Sequence, residues 1–400
     1  MRPDSKVCII CKGSRLLCGK EFCPLIKKTE IYSNLYLKKK VKDYLFGPSP
    51  PNIFVGHFGY PNVRIGPMVG IEDEKYSKNF DDPKSWFGKS FEEIVKYRSS
   101  LFRVMKKRNV NEIDKYVEKI QEVIFSISPI DIEAKISKVN YRIFFDYDLQ
   151  PMGPSSNLLD LKICGNPKIP KSVDEILEEK MKAEESLKFL YEKNFDVYYL
   201  TKIFSSGAMG IEKRIVPTRW SITAVDDILG KINVEKIRKY EEISNFYVAS
   251  GEYMDNHFEI LFLPGKWEFE NFEAWAPGTL WTMGISEPEI IEDYEPYYGK
   301  EDYSIQGGGF YASRLGITEF LARMKKQARV IVFREIYSGY QVPLGVWVVR
   351  ENVRNALKNL KKFSSLKEAL EEISSRLKNP LHLYLKKSKI LTQKRINEYI

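Results

Sequence analysis

A chain of 400 residues exceeds what one hydrophobic core usually organises, and its 43% hydrophobic and 13% aromatic residues are enough to build two or more domains. No stretch offers the roughly 20 apolar residues of a membrane helix, and the opening Met1-Arg2-Pro3-Asp4-Ser5-Lys6 lacks the apolar run of a secretory signal, so a cytoplasmic protein without a membrane partner is expected. The formal charge of +9 is uneven: residues 1–45 carry 11 Lys/Arg against 4 Asp/Glu and residues 350–400 carry 13 against 5, a pattern that suits an anionic polymer held by the two ends, or ordinary solvated faces.

Four of the five cysteines fall within the first 23 residues. The disulfides of a secreted protein would be spread to close long loops, so clustering at one end reads as a metal module, residues 1–45. The spacing Cys8-x2-Cys11-x6-Cys18-x4-Cys23 offers four thiolates to one tetrahedral ion, and Gly13 permits a tight turn behind the first pair. Zn²⁺ is the expected ion; an iron–sulfur cluster and unmetallated thiols are the alternatives. Lys12, Arg15, Lys20, Lys27 and Lys28 surround the module and suit either a nucleic-acid contact or a purely structural knuckle.

The run Gly47-Pro48-Ser49-Pro50-Pro51 reads as a stiff connector near the start of a mixed body, residues 46–286. Shortly after it, Gly56-His57-Phe58-Gly59-Tyr60-Pro61-Asn62-Val63 forms a turn-rich loop whose His57 could act as an acid or base near neutral pH. Periodicity predicts helices over about 89–107 and 111–124, and alternation predicts a strand over 130–139. A loop is expected over 151–170, then a long helix from Ser172 to about Lys193 with Glu175 completing a capping box. Val197–Leu200, Phe246–Ala249 and Phe258–Phe262 read as strands. Between the first and second of these lie Arg214 and Arg219, able to grip phosphate bidentately. Asp226 and Asp227 follow and could hold a divalent ion, although neighbours on a helix diverge by about 100°.

The acidic, Tyr-rich stretch Glu287–Asp302 reads as a second connector, opening a C-terminal domain of residues 287–380. Gly307, Gly308 and Gly309 precede a helix to about Lys326, so their backbone N–H groups together with Arg314 could cradle an anion. Strands at Val330–Phe333 and Gly345–Val349 and helices at about 351–361 and 365–377 lead to Pro380. The basic tail, residues 381–400, finishes with Gln393-Lys394-Arg395-Ile396-Asn397-Glu398-Tyr399-Ile400. This has the Q-x-x-h-x-x-a-a form read by the ring-shaped DNA sliding clamp, PCNA. One 3₁₀ turn would gather Ile396, Tyr399 and Ile400 into a plug and leave Gln393 to hydrogen-bond a neighbouring pocket; Ile400 stands where a second aromatic is usual. Long helices and scattered strands together indicate an α+β fold.

The runs VPTRWSITAVDD (Val216–Asp227) and GGGFYASRLG (Gly307–Gly316), with both termini, make the chain resemble the archaeal Nre family of DNA-repair proteins over nearly its whole length. The resemblance implies tolerance of DNA damage, DNA as a partner, nucleoid association and recruitment by the sliding clamp. It assigns the clamp peptide to Gln393, Ile396, Tyr399 and Ile400 and the metal module to Cys8, Cys11, Cys18 and Cys23. It names a pathway rather than a reaction. The alternative is a nuclease or nucleotide-processing enzyme with an anion or catalytic site built from His57, Arg214, Arg219, Asp226, Asp227, the three glycines and Arg314. A third reading is an RNA-associated protein with a zinc knuckle.

Overall fold

The computed structural model describes residues 5–11, 15, 17–18, 23, 43–70, 79–140, 152–279, 281–282, 285–340 and 343–392. The chain divides into two compact units, one of Ile26–Leu229 and one that joins Met1–Leu25 to Gly230–Ile400. Each contains a six-stranded sheet with helices, so the architecture is α+β, as expected.

The sheet of the 26–229 unit has strands β1 (Tyr44–Ser49), β2 (Ile53–Val55), β3 (Asn62–Gly70), β4 (Leu101–Asn109), β5 (Ile130–Asn140) and β6 (Ser155–Ile163). Their order is β1-β5-β6-β4-β3-β2, and only β4 and β6 run parallel. Three of the five residues of the expected proline-rich connector are strand: Gly47, Pro48 and Ser49 pair with β5 at the sheet edge, where proline costs no ladder bond. The helix expected over 89–107 is divided. Ser90 and Glu93 form a capping box on a helix of Phe91–Ser99, and the chain then turns into β4. Leu, Met, Lys and Arg favour helix there, but pairing with β3 and β6 buries Leu101–Met105 and outweighs that preference.

Three further expectations change in this unit. The 151–170 loop contains β6. The helix expected from Ser172 to Lys193 is two helices, Lys171–Glu178 and Ala183–Glu192, and Pro170 rather than Ser172 takes the first N-cap. Val197–Leu200 is helical, because the Asp196 carboxylate accepts the Tyr199 N–H at 2.9 Å and starts a helix of Val197–Ser205.

The second sheet has β7 (Phe246–Tyr253), β8 (Asn256–Leu263), β9 (Glu268–Trp275), β10 (Glu289–Glu295), β11 (Arg329–Ile336) and β12 (Leu360–Phe363), in the order β10-β9-β11-β8-β7-β12. Glu287–Asp302 is therefore more than a connector, since β10 pairs antiparallel with β9. On one face Leu261, Phe272 and Phe333 pack with Ile373, Tyr384 and Ile390 of the last helices. On the other, Phe262 and Phe269 meet Phe320 at 5.7 Å and Phe310 at 5.0 Å, both from the helix Gly308–Met324. With both faces covered, β8 is buried at every position, which erases the two-residue alternation of a half-exposed strand. The strand expected at Gly345–Val349 gives way to a helix, Trp347–Ala356, whose first seven residues are all buried. Its β-branched valines fill a core, while the Trp347 indole N–H donates to the Leu344 carbonyl at 2.7 Å.

This core also holds paired charges. The Arg334 guanidinium donates to Glu273 at 2.7 Å and to Asn256 Oδ1 at 2.6 and 3.0 Å. Arg376 grips Glu259 with two bonds of 2.7 Å. Glu270 accepts from the Ser388 hydroxyl and the Lys389 N–H, both at 2.5 Å, which caps the last described helix, Lys389–Thr392. Burial pushes the Glu270 carboxyl up to about 7. Ile390 completes the anchor at 4% exposure, so the body holds the chain up to the residue before Gln393.

Candidate nucleic-acid interface

In the 26–229 unit, hydrogen bonds join the strand before the histidine loop to the start of the VPTRW segment. The Val55 N–H at the end of β2 donates to Thr218 Oγ1 at 2.8 Å, and Thr218 opens a helix of Thr218–Ile237. Asn62 N–H donates to the Gly59 carbonyl at 2.8 Å, closing the loop around Gly59, whose φ of 78° favours glycine. Val110 N–H donates to Pro61 O, and Ile215 N–H to Val110 O, each at 2.9 Å. Trp220 N–H reaches back to the Pro217 carbonyl at 2.9 Å. Three stretches distant in sequence are thereby fixed edge to edge.

Their side chains form an aromatic and cationic cluster. Arg219 Nη1 lies 3.5 Å from His57 Nε2, and the His57 ring is 4.1 Å from that of Phe58. Tyr60 and Trp220 stand 5.1 Å apart at 55°. Phe58, Tyr60 and Trp220 are 77%, 42% and 45% exposed. Arg214 is exposed nearby in the chain, and Arg64 and Lys107 are exposed opposite each other across β3 and β4. Of the residues singled out in the sequence, the structure thus brings His57 and Arg219 together. It adds three aromatics whose exposure no periodicity could reveal; the only hint was their density beside glycine and proline.

The remaining candidates sit differently. Asp226 is fully buried and Asp227 half-buried on the Thr218–Ile237 helix, where consecutive positions diverge by about 100°. The three glycines and Arg314 belong to the other unit. Gly307 needs its φ of 65°, and a Cβ on Gly309 would come within 2.7 Å of the Glu273 carboxylate, so backbone conformation accounts for the first and close packing for the second. Arg314 is 1% exposed and bonded to Glu295, and an anion from solution would have to displace that carboxylate. Among the described residues no three His, Cys, Asp or Glu side chains converge on a metal-sized space.

Cys8 and Cys11 lie one turn apart on a helix of Ser5–Cys11; Cys11 is buried, and Cys8, Cys18 and Cys23 are half-buried. Arg15 stacks its guanidinium 5.2 Å from the centre of the Tyr303 ring, which in turn lies 5.5 Å from Tyr311 in the glycine-led helix. The candidate clamp peptide Gln393–Ile400 lies outside the described residues. Among those residues, no helix is long and apolar enough to cross a membrane.

Fold and surface together define an α+β protein that presents an arginine-edged aromatic cluster. Residues 17–282 match the family model described as archaeal Nre, N-terminal, and residues 295–399 the one described as archaeal Nre, C-terminal. The chain belongs to the archaeal Nre family. It is 41% identical over 379 residues to DNA repair protein NreA of Archaeoglobus fulgidus, covering 93% of this chain and 94% of that one. DNA repair protein NreB of the same organism is 35% identical over 97% of each chain. DNA repair protein NreA of Haloferax volcanii is 31% identical over 83% of this chain and 82% of its own. No solved structure matches. The two family segments part between 282 and 295, whereas the compact units part at Leu229/Gly230, so the N-terminal segment contributes β7, β8 and β9 to the second sheet.

Proposed function

We propose that this protein is a DNA-repair factor brought to its substrate by the sliding clamp, with Gln393, Ile396, Tyr399 and Ile400 as the docking peptide. The observation that carries the repair role is likeness over almost the full length of proteins named for DNA repair. The clamp contact is supported by the peptide's form and by the anchoring of the chain through Ile390, immediately upstream. In an archaeal cell lacking its own Nre gene, the full chain should restore survival after ultraviolet irradiation. Survival no better than that of the empty strain would overturn the repair role.

Cys8, Cys11, Cys18 and Cys23 are assigned one Zn²⁺, because four thiolates suit that ion and its binding would supply local folding energy to a short segment. Elemental analysis of purified protein should find about one zinc per chain, lost in a Cys8→Ser/Cys11→Ser variant. Iron in its place, with a brown colour, would overturn the assignment. The hydrolase alternative is less well served, since Arg314 and Asp226 are buried.

A further inference from the structure

We propose that Phe58, Tyr60 and Trp220 form a stacking platform for an unpaired base of single-stranded DNA, with Arg214 and Arg219 beside it for the phosphates. The proposal rests on the repair reading above and adds the chemistry of the contact. Its first support is the contrast among tryptophans. Trp86, Trp267, Trp275, Trp281 and Trp347 are between 0% and 3% exposed, whereas Trp220 is 45% exposed. The fold has buried every other indole and leaves this one at the surface.

The second support is convergence. Trp220 is joined by Tyr60 at 5.1 Å and lies one residue from Arg219, which meets His57 and through it the 77% exposed Phe58. The backbone bonds through Val110 and Ile215 and the Val55 N–H bond to the Thr218 hydroxyl hold these rings on a fixed frame, so ordering them on binding costs little entropy. The third support is charge. Arg64, Lys107, Lys213 and Arg214 are exposed on the segments that frame the rings, against the exposed Glu112 and Glu212. Protein-binding surfaces enrich arginine but deplete lysine around their aromatic anchors, whereas Lys107 and Lys213 add to the arginines here, and rings edged by such cations are what strands of unpaired nucleotides recognise. A duplex hides the faces of its bases, so the ligand is single-stranded.

The test is a titration of the full chain with a single-stranded DNA oligomer carrying 2-aminopurine, and with its duplex. Stacking should quench the exposed indole, a signal absent from Trp220→Phe. Phe58→Ala and the double variant Phe58→Ala/Trp220→Ala should bind the single strand at least about tenfold more weakly, with unchanged melting temperatures. Arg214→Gln and Arg219→Gln should each lower the salt dependence of binding. Single-strand binding as tight in Phe58→Ala and the double variant as in the parent would overturn the platform. So would a defect confined to duplex or to a protein partner. A parent that binds no DNA also overturns it, whereas the clamp contact is decided separately by titration with the clamp.

Discussion

Glu335→Ala is expected to cost about 4 kcal/mol of stability, because the buried carboxylate is the common acceptor of five donors. Glu335 is fully buried at the end of β11. It accepts from Tyr337 Oη at 3.0 Å, from the Lys378 and Asn379 N–H groups at 2.8 Å each, from Asn379 Nδ2 at 2.7 Å and from Tyr384 Oη at 2.8 Å. Tyr384 is itself buried between Phe272 and Phe333, at 5.5 and 5.3 Å. Alanine would strand these donors in a low-dielectric core and loosen the loop that carries the last two short helices. Denaturant unfolding should show the loss directly, and Glu335→Gln should fall between parent and Ala because it retains one acceptor oxygen. A cost below about 1 kcal/mol would mean that water reaches those donors.

That network also explains what the sequence could and could not tell. The alternating strand 130–139 and the helix that follows the glycine triplet are legible because their local signals agree with the fold. Val197–Leu200 and Gly345–Val349 were not, because aromatic and β-branched residues that suit strands were used to fill helical cores. Leu101–Asn109 erred the other way, with helix-forming residues drawn into a sheet by partners on both edges. Glu335, Glu273 and Arg334 carry no local signal of burial, since the residues that pair them come from strands and loops far along the chain. At the candidate interface the relevant segments are visible, but their meeting depends on Val55 and Val110, which carry no chemical signal. The glycine triplet was visible too, while its reason, the space taken by Glu273 and a left-handed turn, was not.

The second large effect concerns the tail. Under the proposed clamp recruitment, Ile396, Tyr399 and Ile400 would make the apolar contacts, and a short peptide of this kind concentrates its binding energy in two or three anchors. Removing them should therefore abolish binding rather than weaken it slightly. Tyr399→Ala alone should reduce affinity at least about tenfold, and Ile400→Phe, which restores a second aromatic, should increase it. None of these changes should alter folding, because the packing that secures the end of the body is made by Tyr384, Ser388 and Ile390, all upstream of the peptide.

The most direct measurement is a calorimetric titration of an archaeal sliding clamp with the full chain and with a chain ended after Thr392. Saturable binding by the full chain and none by the shortened one, at equal melting temperatures, is the expected result. Equal binding by the two would contradict recruitment through the tail.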